Sequence, residues 1–215
     1  MRTILTFLFI LLLVAVAIPM VPLKAAAELV WLDKFGLTAR EIDGNLWSGH
    51  LYDAQFAKVA LGDVTTNMSL ADLAKGRVRL DMEGSDPLSQ LKGSVSYGLG
   101  GAGFDGLGLA AGTVIVDGLS ARFPGGACDG AGGSARAIVA GANLSGPVLC
   151  RDGKLTFDLA SDSGREQQEI MFLSPRSYRL RTLIKAADPA TAARLQAAGF
   201  AATPDGYSYE VERAL

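Results

Sequence analysis

Lys154-Leu155-Thr156-Phe157-Asp158-Leu159 places an apolar side chain at every second residue, with polar ones between. A period of two belongs to an extended strand with one buried face, not to a helix. The same period recurs along the chain. Val78, Leu80 and Met82 alternate with Arg77, Arg79, Asp81 and Glu83; Tyr178, Leu180, Thr182 and Ile184 alternate with Arg179, Arg181 and Lys185. Weaker strand patterns cover residues 49–59, 92–99, 112–119, 136–144 and 207–212. Turn signals separate them: Gly84-Ser85-Asp86-Pro87, Pro124-Gly125-Gly126, Arg151-Asp152-Gly153 and Pro204-Asp205-Gly206. This spacing predicts consecutive antiparallel strands, a mainly β fold made of one curved meander that forms an open or groove-like sheet. One helix is expected near the C-terminus, with Asp188 as N-cap, Pro189 at its first position and Gly199 past its end.

Ahead of the strands, residues 3–23 carry no charge, and the next charge after Arg2 is Lys24. As a helix this run would extend about 31 Å, enough to cross the hydrocarbon core of a bilayer. Arg2 favours a cytoplasmic N-terminus and export of the rest of the chain. The sequence therefore divides into a cytoplasmic tip (1–2), a transmembrane signal-anchor (3–23) and a periplasmic β-rich domain (24–215). The competing reading is a cleaved signal peptide, for which Ala25-Ala26-Ala27 supplies small residues. Residues 25–37 read as a short helical or irregular continuation. Both readings put the domain outside the cytoplasm.

Composition excludes several classes of function. A net charge of −2, without any basic run, leaves no electrostatic footprint for nucleic acid. Cys128 and Cys150 are the only cysteines. An even count in an exported domain reads as a disulfide, the alternative being two buried thiols. His50 is the only histidine, which leaves no ligand set for zinc and no metal or cofactor site. Ser48 stands two residues from His50, on the same face of a strand, and only Asp43 or Asp53 would be left to orient the imidazole. Gly98-Leu99-Gly100-Gly101-Ala102-Gly103 matches a dinucleotide-binding fingerprint, but Phe104-Asp105-Gly106-Leu107-Gly108 is too rich in glycine to open the required helix. The segment reads instead as a flexible hairpin loop. Glu166, Glu169, Asp158 and Asp162 read as a solvated edge or loop. The chain is expected not to be an enzyme.

Two segments resist a generic account. Gly44-Asn45-Leu46-Trp47-Ser48-Gly49, soon after the anchor, resembles the opening of type II secretion system protein N, also called general secretion pathway protein N. The ending, a helix with Leu195, then Gly199-Phe200 and a strand after Gly206, is similar to that family's closing segment. Leu144-Ser145-Gly146-Pro147 and Cys150-Arg151-Asp152-Gly153 fit its later half. The resemblance implies a single-pass bacterial inner-membrane protein, accessory to the machine that moves folded proteins from the periplasm to the exterior. Its implied partners are other inner-membrane components, with the outer-membrane secretin as a further candidate. Trp47 would then pack over a strand crossing or serve as an interface anchor. A reading from another class is an AsmA-like envelope protein, with lipid held in an apolar groove lined by Val95, Tyr97, Leu99, Val114 and Val116.

Overall fold

Each strand of this protein turns back beside the one before it, and the result is one long antiparallel sheet. The computed structural model describes residues 22–24, 37–45, 47–56, 59–86, 90–111, 113–139, 141–174, 176–186 and 188–214. Two short strands, β1 (Leu37–Thr38) and β2 (Glu41–Gly44), together form one edge against β3 (Ser48–Phe56). The sheet continues through β4 (Val59–Met68), β5 (Arg77–Gly84), β6 (Lys92–Gly98), β7 (Gly101–Ala111) and β8 (Val114–Phe123). It goes on through β9 (Gly130–Val139), β10 (Ala142–Arg151), β11 (Lys154–Ser161), β12 (Glu166–Ser174) and β13 (Ser177–Ile184). Sequence order and spatial order then part once. Helix α2 (Pro189–Ala197) leads to β14 (Ala201–Thr203), while β15 (Gly206–Ala214) inserts between β13 and β14. A single helical turn, α1 (Leu70–Leu73), joins β4 to β5.

The alternating patterns land where their period requires. Leu155, Phe157 and Leu159 are buried on one face of β11, and the patterns at residues 77–83 and 178–184 lie in β5 and β13. Asp188 caps α2, its carboxylate accepting the Thr191 amide at 2.8 Å. That bond, followed by one from the Thr191 hydroxyl, holds its carboxyl below the usual aspartate value. The two-residue turn Asp152-Gly153, with φ of +52° and +70°, closes the β10–β11 hairpin.

Other expectations need correction. The pattern at 136–144 is two strands, because the chain reverses between Val139 in β9 and its register partner Ala142 in β10. Residues 37–44 and 59–68 are strands that no clean alternation announced. Of the carboxylates expected on a solvated edge or loop, Asp162 lies in the β11–β12 turn, whereas Asp158, Glu166 and Glu169 belong to the inner strands β11 and β12. The glycine-rich stretch does hold a hairpin turn, at Leu99-Gly100 between β6 and β7, but from Gly101 on it is not a loop: it is strand β7. It pairs with β6 and β8 through bulges, and Gly106 (φ +61°) and Gly118 (φ +62°) sit where the register shifts. Bulges of this kind bend a strand and increase its twist, and glycine takes the left-handed conformation at no steric cost. The anchor expected at 3–23 lies, apart from Pro22 and Leu23, outside the described residues.

The apolar face of the sheet is buried against itself. Cα atoms of β9 and β11 come within 8 Å although β10 lies between them, where two flat strand spacings would give about 9.6 Å. The sheet therefore curls here, as it does where β4 and β7 come within 8 Å across two intervening strands, and the concave side is packed with Leu119, Ala121, Ala135, Ala137, Leu144, Val148, Leu155, Phe157 and Leu159. Ala135 and Leu159 have no solvent exposure at all. A second cluster of Leu51, Ala54, Leu61, Val64 and Leu91 occupies the β3–β4 end, and Leu107 touches both. The convex side carries ion pairs between strands: Arg136–Asp117 at 2.8 Å, Arg151 with Asp158 on the next strand and Glu169 one strand further, Arg179 with Glu212. Such exposed pairs each contribute at most about 1 kcal/mol, so the concave packing dominates stability.

Two close approaches can be tested. A side chain at Gly146 would collide with the carbonyl of Asp158 and the backbone of Leu159. Gly146→Ala is expected to destabilise the fold by about 3 kcal/mol, the upper end for overpacking, because backbone cannot rotate away; an unchanged urea midpoint would refute this. The Cys128–Cys150 bond, Cα atoms 5.6 Å apart, ties the β8–β9 loop to the end of β10. Its reduction is expected to cost roughly 3 kcal/mol in the chain-entropy model, read as a lower urea midpoint with dithiothreitol.

Candidate functional site

The Gly44–Gly49 motif forms the β2–β3 turn, and its residue types follow from the geometry of that turn. Asn45 folds its side chain back, the Oδ1 accepting the amides of Trp47 and Ser48, each at 3.0 Å. Gly44 is left-handed (φ +91°), and the carbonyl of Ser48 occupies the space a side chain would need. The Met68 amide donates to the carbonyl of Trp47 at 3.3 Å, which fixes the turn against the end of β4. The Trp47 indole Nε1 is buried without an acceptor. Leu46 lies outside the described residues.

The end of the uncharged N-terminal run rests on this turn. Pro22 forms an isolated antiparallel bridge with Asn45, and the Leu23 side chain, 8% exposed, lies directly over Gly49. A Cβ on Gly49 would overlap Leu23 and stand 3.1 Å from Thr66 Oγ1. Gly49 shares the concave face with Thr66, its partner across β4, whose hydroxyl donates to the Gly49 carbonyl at 3.4 Å. The motif is thus a seat for the segment that enters the domain from residues 3–21.

The residues considered for catalysis do not assemble into a reactive site. Ser48 and His50 are both exposed on the convex face, yet no hydrogen bond joins them. His50 stacks on Tyr52 at 6.4 Å; Asp43, opposite it in register, accepts its neighbour's Gly44 amide, and Asp53 pairs with Arg40 at 2.8 Å. Arg151 holds both Asp158 and Glu169. Hydrogen bonds from the hydroxyls of Ser161 and then Ser163 keep Glu166 below the usual glutamate value, the reverse of what a general acid needs. The strand β7 follows Gly98-Leu99-Gly100, so no helix N-terminus is there to meet a pyrophosphate. Among the described residues no group of three His, Cys, Asp or Glu can hold a metal ion.

The five residues proposed for an apolar groove are not brought together as one. Val114 and Val116 pack into the main concave cluster, and Val95 is half-buried opposite Phe104. Tyr97 and Leu99 instead stand out at the rim, 70% and 102% exposed. The middle of the concave face is filled by the sheet's own side chains. A hollow of about 470 Å³ beside the β1 edge has a mixed lining, with Thr38, Arg40, Asp53 and Gln55 alternating with Ala39 and Ala54.

A model of the type II secretion system protein N family matches residues 36–210. The chain belongs to the type II secretion system protein N family. The match begins one residue before β1 and ends inside β15, so it takes in all fifteen strands, short only of the last four residues of β15. No curated protein and no solved structure shows significant similarity to the chain. Membership implies involvement in type II secretion and interaction with other components of that system.

The seat for Leu23 generates a direct expectation. Gly49→Val should displace Leu23 and raise trypsin cleavage after Lys24 about tenfold, since cleavage follows the open population and overpacking costs on the order of 1–3 kcal/mol. Cleavage at the wild-type rate in a folded variant would show that the contact does not hold this segment.

Proposed function

We propose that this protein is a single-pass, inner-membrane accessory of type II secretion, with residues 3–21 as its anchor and the curved sheet in the periplasm. It catalyses nothing itself and acts by contact with other components. The observation that carries this reading is the family match, which takes in all fifteen strands. Physical features agree with it. The Cys128–Cys150 bond suits an oxidising compartment. The sheet also has two open edges. Of β15, only Gly206–Ser208 is covered by β14, which leaves Tyr209–Ala214 with one side unpaired among the described residues. At the other end, β1 and β2 are short and interrupted. An unpaired edge can take an extended segment of a partner as an added strand, with main-chain hydrogen bonds giving affinity.

The test is deletion of the gene, with individual proteins quantified in medium and periplasm and the intact gene restored in a control. A defined set of secreted proteins should move from medium to periplasm and return on restoration. Unchanged secretion accompanied by altered lipid composition would replace this reading with the lipid-handling one.

A further inference from the structure

Of the six large apolar side chains exposed among the described residues, four share one corner of the sheet: Leu73, Val78, Tyr97 and Leu99. Val78 and Tyr97 are register partners on β5 and β6, Leu99 is the tip of the β6–β7 turn, and Leu73 ends α1 beside β5. In a meander, alternate connections fall at the same end. The β4–β5 and β6–β7 connections therefore share a rim with the β2–β3 turn, on which Pro22 and Leu23 are seated. Leu23 lies over β3 and β4; the exposed corner begins on the next strand. From β4 to β6 is two strand spacings, about 10 Å.

We propose that this corner, with the Tyr97–Leu99 hairpin tip as its leading element, rests in the interfacial layer of the same bilayer that residues 3–21 enter. The occupant is set by the origin of the chain. An uncharged run long enough to span ends at Leu23, and Leu23 is fixed to the sheet at this rim, so the rim cannot stand far from the membrane surface. The chemistry of the corner agrees. A tyrosine and a fully exposed leucine suit the boundary between headgroups and acyl chains. Lys24 and Lys75 flank them, and Arg77 is neutralised locally by Asp72 at 2.7 Å. That hydrogen bond holds the Asp72 carboxyl below its usual value, so the pair persists to lower pH than a free carboxylate would allow. A second, peripheral contact would turn a sheet hung from one helix into one held in a fixed orientation, with its two open edges pointing sideways along the membrane. This inference rests on the anchor reading.

The full chain is reconstituted in nanodiscs of phosphatidylethanolamine and phosphatidylglycerol. A nitrobenzoxadiazole label is placed on Leu99→Cys or, as control on the opposite rim, on Asp205→Cys. Both positions are exposed, so neither variant disturbs packing. The Leu99 label should emit at shorter wavelength and be quenched strongly by nitroxide lipids and weakly by iodide; the Asp205 label should show the reverse. A Leu99 label quenched by iodide alone, in protein that stays with the nanodisc, overturns the contact and leaves the anchor standing. Protein that does not stay with the nanodisc overturns both. Shielding from both quenchers that is lost on dilution would assign the corner to a second copy and overturn the proposal.

Discussion

A single sheet has two faces, and in this protein only one of them is apolar. Among the described residues only two short α-helices and one 3-10 turn stand beside fifteen strands, and the sheet covers that face by curling. The rest of the architecture answers to that requirement. Tight curvature at β8–β11 demands small residues on the inner side, and Ala121, Ala135, Ala137 and Gly146 supply them. Large ones, Leu144, Phe157 and Leu159, fill the space that remains. The outer side is stretched and wet, which is where the arginine–carboxylate pairs are found.

The same requirement explains the abundance of glycine. In β7 and β8 glycines mark positions where the register slips and the strand bends, so that curvature is set by defined bulges. At Gly49 and Gly146 the reason is different: another part of the chain lies where a side chain would be. In each case the space of the missing Cβ is filled, by Leu23 or by the backbone of β11. Glycine here is therefore evidence of close approach as much as of freedom.

On the function proposed above, this architecture acts through its surfaces. Titratable groups that are shifted are shifted toward their charged forms, by partners at the surface, which is the pattern of structural pairing and not of acid–base chemistry. The fold offers instead two strand edges, a rim that receives the N-terminal segment, and an exposed apolar corner beside it. Those features fit a protein that positions others within a membrane-bound assembly.

By itself the sequence determined the class of the fold, the helix at 189–197 and its cap, the hairpin turn at Asp152-Gly153, and the family through likenesses spread from Gly44–Gly49 to the closing helix and strand. These are local matters: alternation, capping and turn chemistry act over a few neighbouring residues. It did not determine that residues 101–111 form a strand, because glycine's pattern carries no period and its role depends on what packs against it. Nor did it announce residues 59–68, where polar and apolar residues keep no strict order. The insertion of β15 between β13 and β14, the seat of Leu23 on Gly49, and the gathering of Leu73, Val78, Tyr97 and Leu99 at one rim were decided by tertiary structure alone. They depend on which strands become neighbours, and that is fixed by the curvature of the whole sheet.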